Sequence, residues 1–359
     1  MPYFVGLDSS KETTQVCVIN PDGVVVQEGS VETHPRAILG FLRGQGRRYR
    51  AVGIEATSNT WWLYEGLTGG GLPVICIEAR HAHGVLQSRK NKTDRNDAAG
   101  IAEMMRAGIY RPVHVKTQES QEAKLLLATR NHLSIKRRDL DHFVYSVLLA
   151  RGIKLKTGQS YSFAARAGSA TAPGTRLGTM VTTLLETRAE LERQIDRLDA
   201  LIADLTANDP VCRRLITAPG VGTLTALSFK AAVDSPDRFA RSRDVAVHLG
   251  LTPRSFQTGA TDRKGRISKG GDQAARRNLF MAGQAILRRD ARPSALRSWG
   301  LQIAERKGKK KALVAVARKL AVILHRMWTT DTDFIPWPTG EPRDTEAKPD
   351  LTAPTKSGE

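Results

Sequence analysis

YFVGLDSSKETTQVCVINPDGVVVQEGSVE, residues 3–32, opens the chain as three successive β-strands. Tyr3 to Leu7 is a short apolar run that ends at Asp8, and Thr13 to Ile19 is rich in β-branched residues. Pro21-Asp22-Gly23 is turn chemistry, so Val24 to Glu32 reads as the returning strand and the three pair antiparallel. Beyond them PRAILGFLR (35–43) fits a helix, and Ala51 to Ile54 is a fourth strand ending at Glu55. WWLYEGL (61–67) fits a short helix, GGGLP (69–73) a loop, and Pro73 to Ile77 a fifth strand. A further helix starts in KTDRNDA (92–98) and continues through AAGIAEMM, closing an α/β domain over residues 1–115.

Three antiparallel strands followed by alternating helix and strand is the order of the ribonuclease-H-like fold. Asp8 and Glu55 each end an apolar strand, at the sheet edge where open α/β sheets place ligands. Asp94 and Asp97 are three apart on a helix and share a face, with Lys92 and Arg95 beside them. Four carboxylates without Cys or His suit Mg²⁺ or Mn²⁺, and such ions serve phosphodiester chemistry. The plainer reading makes Asp94 and Asp97 acids at the favourable end of a helix dipole, and Asp8 and Glu55 solvated strand ends. GLDSSKETT also resembles the first phosphate loop of sugar kinases and actin-like ATPases, but no second Gly-rich loop follows a later strand.

Lys and Arg exceed Asp and Glu to give a net charge of +19, and the sequence pI is near 10.2. Such an excess favours a polyanionic partner, and nucleic acid before a membrane, since no dominant amphipathic anchor stands out. No apolar run is long enough to span a bilayer, and the N-terminus carries no secretion pattern. Cys17, Cys76 and Cys212 are widely spaced and odd in number, as expected of buried thiols in a reducing cytoplasm. The 359 residues suffice for two or three domains.

Residues 116–210 read as a helical connection. A continuous helix fits 118–151, with Gly152 as its C-cap, and a loop rich in Gly, Ser and Ala follows. Leu177, Leu184, Leu191, Leu198 and Leu205 recur every seven residues, predicting a coiled coil with an intermolecular seam. An antiparallel hairpin with the 118–151 helix is the alternative. Residues 211–330 read as a mainly helical module. In it, LITAPGVGTLTALSF (215–229) resembles a helix-hairpin-helix, whose Gly220 and Gly222 would let backbone N–H groups approach a phosphate. Phe239, Val245, Val247 and Leu249 are expected core. GLTPRSFQTGATDRKGRISKGGDQ (250–273) is expected as cationic turns carrying Arg254, Arg263, Lys264, Arg266 and Lys269, with Asp272 capping the next helix. Ser255, Thr258 and Thr261 place hydroxyls among these cations, where one could act as a nucleophile or merely line a phosphate loop. Residues 308–328 form a basic amphipathic helix, and 331–359 a polar, Pro-rich tail expected to be disordered.

With these motifs in place, residues 3 to about 330 resemble a DEDD transposase of the insertion-sequence 110 family, relatives of the Piv-type DNA invertases. GLDSSK, GIEATSN, KTDRNDA, LITAPGVG and GLTPR…TG…GRISKGGD carry the resemblance. It implies a RuvC-like, metal-dependent N-terminal domain, a coiled-coil connection and a C-terminal transposase domain. Asp8, Glu55, Asp94 and Asp97 match the acids. It also implies a noncoding bridge RNA pairing with donor and target DNA, a dimer or tetramer with active sites shared between protomers, and a bacterial, nucleoid-associated setting. The family's serine nucleophile precedes glycine in the turn after GLTPR. Thr258, followed by Gly259, stands there instead, and Ser255 is a second candidate. A junction-resolving endonuclease using the acids and water, or a catalytically weakened RNA–DNA scaffold, are the rival functions.

Overall fold

The computed structural model describes residues 2–44, 46–57, 60–87, 93–155, 163–258 and 261–337, and at Ser255, Thr258, Thr261, Asp262 and Lys264 the backbone alone. The chain divides into two compact units, Met1–Lys116 and Thr117–Glu359.

The first unit is built on a five-stranded sheet. β1 (Tyr3–Ser9), β2 (Thr13–Ile19) and β3 (Val25–Glu32) are antiparallel neighbours. β4 (Tyr49–Glu55) pairs parallel with β1, and β5 (Val74–Ile77) parallel with β4, giving the order β3-β2-β1-β4-β5. Three antiparallel strands followed by alternating helix and strand are as expected. Alternation of side chains along each strand splits the core into two layers. Val5, Leu7, Val16, Val18, Val52 and Ile54 face α1 (Pro35–Arg43) and α2 (Thr60–Gly69). Phe4, Cys17, Ile19 and Ala51 face the other way, against α3 (Ala79–Leu86) and α4 (Asp94–Ala107). Full burial of each such aliphatic side chain contributes roughly 1.5–3 kcal/mol.

The second unit begins with a helical hairpin, α5 (Gln118–Leu149) and α7 (Arg176–Asn208), with the short α6 (Phe163–Ser169) between them. Three ion pairs fix the hairpin: Arg130–Asp199 at 2.7 Å, Arg137–Glu192 at 3.5 Å and Arg188–Asp141 at 2.6 Å. As numbers rise on α5 they fall on α7, so the helices are antiparallel. A larger core then gathers α8 (Pro210–Ile216), α9 (Thr223–Val233), α10 (Ser242–His248), α11 (Gln273–Ile286), α12 (Ala295–Lys307) and α13 (Lys309–Thr329) around Phe229, Leu279, Leu320 and Leu324. Lys230 ties this core to the hairpin, its ammonium bonding both Glu119 of α5 and Asp209 at the α8 N-cap. Burial works against the charge on Lys230 and on Asp209, yet their mutual pairing wins, holding the lysine pKa above and the aspartate pKa below the ordinary values. Among the described residues no helix is long and apolar enough to cross a membrane.

Five expectations change. The α7 residues buried against α5 are Val181, Arg188, Ile195 and Ile202, a second row at seven-residue spacing. The leucine row expected as an intermolecular seam lies beside it, with Leu205 43% exposed. The 250–273 stretch contains an antiparallel hairpin, β6 (Pro253–Thr258) and β7 (Thr261–Ile267), rather than turns alone. Val247 is 57% exposed because α10 is a helix, which buries Val245 and Ala246 and turns Val247 outward, while the buried Leu249 follows at its C-cap. The Ala-rich loop after α5 contains α6, whose Ala167 is buried against Val144, Leu148 and Val181. The expected tail starts with a docked segment. Phe334 packs on the core, its N–H donates to Thr217 Oγ1 at 2.9 Å, and Pro336 O accepts from Ala295 N at 2.9 Å. Residues 338–359 lie outside the described residues.

Candidate functional site

The acids are positioned by two glycines. Gly6 of β1 and Gly53 of β4 are partners in the parallel register, each two residues before an acid, Asp8 and Glu55. Both face α4. A Cβ on Gly6 would collide with Ala98 O and Ala102 N, and one on Gly53 would lie 2.7 Å from Ile101 Cγ2 and 2.8 Å from Met105 Cγ. Removing two methyl groups therefore lets the α4 backbone rest directly on the central strands. Leu7 and Ile54 are the last registered pair of β1 and β4, so Asp8 and Glu55 follow side by side on the α4 face of the sheet. Both are half-buried.

The direction of α4 follows from its last turn. Arg106 Nη1 donates to Pro21 O at 3.2 Å, and Pro21 lies just past Ile19, the register partner of Phe4 near the start of β1. The first turn of α4 therefore lies toward the Asp8 end. There Thr93 caps the helix, its hydroxyl accepting from Asn96 N at 3.2 Å, and Asp94 and Asp97 occupy the first turn. Asp94 is exposed and Asp97 half-buried. Arg95 forms a bidentate pair with Glu28 of β3, with Nε 2.8 Å from Oε2, while Lys92 lies outside the described residues. Sequence reasoning missed Thr60, which is buried, donates to Glu55 O at 2.7 Å and accepts from Thr57 N at 2.6 Å, holding the chain as it leaves β4. The Cys76 thiol is pushed up to about 11 by burial and by the charge of Glu55, and stays protonated at neutral pH.

All four donors are carboxylates, the chemistry of a hard divalent cation. They share one edge, yet among the described residues no three His, Cys, Asp or Glu side chains are grouped as metal ligands. The donor type fits such an ion; the edge as it stands is an open set of acids rather than a closed cage.

In the second unit the β6–β7 register pairs Thr258 with Thr261 and Ser255 with Lys264. Gly259 and Ala260, between the strands, lie outside the described residues. Arg263 and Arg266 are exposed on β7, and Phe256 is 59% exposed and covers Gly265, where a Cβ would lie 3.1 Å from its ring. Arg254 Nη2 donates to Ser268 O at 3.1 Å, so its guanidinium braces the hairpin's base. Lys269 has φ +57°, with its N–H donating to Gly250 O at 3.2 Å. Asp272 caps α11, as expected, through Ala275 N at 3.0 Å.

Gly220 and Gly222 serve different purposes. Gly220 has φ +72°, and a Cβ would lie 2.6 Å from Ala282 O, so it lets the turn press on α11. Gly222 is the N-cap of α9, brings no capping side chain, and has open space where a Cβ would stand. It borders a cleft of about 580 Å³ that also contains Arg288, Arg292 and Ser294. The first N–H groups of a helix have no intrahelical partner and favour an anion, with Arg292 beside them, while Arg288 is already paired with Asp290 of the same cleft at 2.8 Å.

Comparison with known proteins gives a consistent result. Residues 5–150 match the IS110-type DEDD family described as "Transposase", and residues 212–297 the family described as "Transposase IS116/IS110/IS902 family". The chain is 30% identical over 340 residues to the transposase for insertion sequence element IS1111A of Coxiella burnetii, covering 92% of this chain and 90% of that protein. It is 28% identical over 289 residues to the transposase for insertion sequence element IS1328 of Yersinia enterocolitica, covering 79% and 85%. Among solved structures it is similar to Thermus thermophilus RuvC, at 15% identity and TM-score 0.23, over 31% of this chain and 99% of that one.

Proposed function

The chain belongs to the IS116/IS110/IS902 family of transposases and is a DNA transposase of a mobile element, and from that premise we propose how its residues divide the work. Asp8, Glu55, Asp94 and Asp97 hold a divalent ion, Mg²⁺ or Mn²⁺, and the Thr258 hydroxyl is the nucleophile. The observation that carries the first part is the Gly6–Gly53 pair under α4, which brings two strand-end acids and the start of an acidic helix to one edge. Such an ion supplies positive charge to a scissile phosphate.

For the second part, Thr258 ends β6 at the tip side of a hairpin that carries exposed Arg263 and Arg266, cations suited to phosphoryl oxygens. A Thr258 Oγ–P bond forms as the bond from phosphorus to one sugar oxygen breaks. That oxygen leaves with a proton in place of the one the hydroxyl gives up. Attack by a sugar hydroxyl of another strand reverses the step, rejoining DNA without an external energy source. Partner choice by a noncoding bridge RNA accords with the net charge of +19, and the Gly222 cleft suits a backbone phosphate of either nucleic acid. The leucine row of α7 remains only partly covered by α5, and Met180, Leu201 and Leu205 are exposed, a surface suited to a second copy of this chain.

Recombination between donor and target plasmids tests the assignment. Asp8→Ala and Thr258→Ala should each abolish it while leaving RNA binding intact. Normal recombination by Thr258→Ala would remove that residue from the chemistry, with Ser255 the next candidate.

A further inference from the structure

We propose that a groove in the second unit, distinct from the hairpin tip and from the Gly222 cleft, takes the bases of a single DNA strand. It encloses about 430 Å³, with Trp299 of α12 and Val314 and Val322 of α13 as its apolar floor and Ile267 of β7 at its wall. Lys311, Arg318 and Lys319 form its rim, and among the described residues no acidic one lines it. Lys319 Nζ stands 5.3 Å from the centroid of the Trp299 ring, so a cation already marks the aromatic surface.

The charge pattern decides the occupant. From Arg306 to Thr330 the chain has no Asp or Glu, while Arg306, Lys307, Lys309, Lys310, Lys311, Arg318, Lys319 and Arg326 are cationic. An apolar floor inside a cationic rim suits a ligand with flat apolar faces linked by anions. An unpaired strand has this chemistry: its bases stack on aromatic side chains while its phosphates meet Lys and Arg. A duplex keeps its bases stacked on one another and could use the rim but not the floor. The inference rests on the proposed strand exchange, which unpairs bases beside the hairpin that shares Ile267 with this groove.

The test is fluorescence anisotropy of the full chain with labelled oligo-dT, oligo-U and a mixed-sequence duplex of equal length. Trp299→Leu keeps apolar bulk but removes the stacking surface. It should weaken single-strand binding roughly five- to hundredfold and leave duplex binding within about twofold. Trp299→Phe should retain most of the affinity. The larger loss is expected with oligo-dT, and a larger loss with oligo-U would give the groove to an RNA and overturn the assignment to DNA. Because Trp299 also packs on the core, a 5-iodouracil strand crosslinked to the wild-type chain provides a second reading, with the adduct expected on the Trp299 peptide. Equal losses on strand and duplex, no loss at all, or crosslinks only elsewhere would overturn the proposal. Trp299-dependent strand binding in a chain that cannot recombine DNA would instead count against the assigned chemistry and leave the groove standing.

Discussion

At Gly6, a hydrogen in place of a methyl group decides how near α4 can come to the sheet. The atoms a Cβ would strike are the backbone of Ala98 and Ala102, which cannot swing aside as a side chain end can. Gly6→Ala should therefore cost about 1–3 kcal/mol or more in urea unfolding and also reduce DNA cleavage, because the acids of α4 would be displaced. Gly40→Ala in α1 provides the contrast: a Cβ there meets nothing within 4 Å, and it should stabilise by roughly 0.5–1 kcal/mol. Equal stability of the two variants would contradict this role for Gly6. The acids were legible in the sequence as strand-end and helix-start residues, but the glycines were not used. The signal was present as a repeated Gly-apolar-acid triplet, Gly6-Leu7-Asp8 and Gly53-Ile54-Glu55. Val247 shows the converse error: alternating apolar residues suggest a strand, whereas a seven-residue helix buries only Val245 and Ala246.

Between elements, the α5–α7 hairpin depends on a cation in its buried row. Arg188 is 7% exposed and meets Asp141 at 2.6 Å and Glu192 at 2.7 Å. Arg188→Met would leave Asp141 without its partner and should lower stability by about 1–3 kcal/mol, read as a lower urea midpoint. Replacing both, Arg188→Met with Asp141→Leu, should recover most of that loss, since apolar packing substitutes well for a buried pair. A single variant as stable as wild type would show that the pair does not hold the helices in register. Heptad spacing revealed that α7 has an apolar stripe but not which stripe its own chain covers, because the leucines and the Val181–Ile202 row share the same period. The β6–β7 hairpin was masked by Gly265, which reads as a breaker. In the fold it is covered by Phe256, a cross-strand contact invisible to local composition.

For the whole molecule, the first unit supplies acids at a sheet edge, and the second supplies an arginine-bearing hairpin, a glycine-bordered cleft and a Trp-floored groove. The strand order of the first unit was legible because β-rich runs and turn residues alternate cleanly over residues 3–32. The helical core of the second was less so, because its packing joins residues as distant as Leu127 and Met327. The positive charge, concentrated in the second unit, gives an electrostatic reason to hold nucleic acid, but only the chemistry separates a transposase that links itself to DNA from an enzyme that cuts with water. The direct measurement is mass spectrometry of the denatured, proteolysed product of a cleavage reaction on suicide DNA substrate. The expected result is a peptide spanning β6 and β7 with a nucleotide phosphate on Thr258, lost in Asp8→Asn and in EDTA. Cut DNA bearing free 5′-phosphates, with no peptide attached, would contradict it.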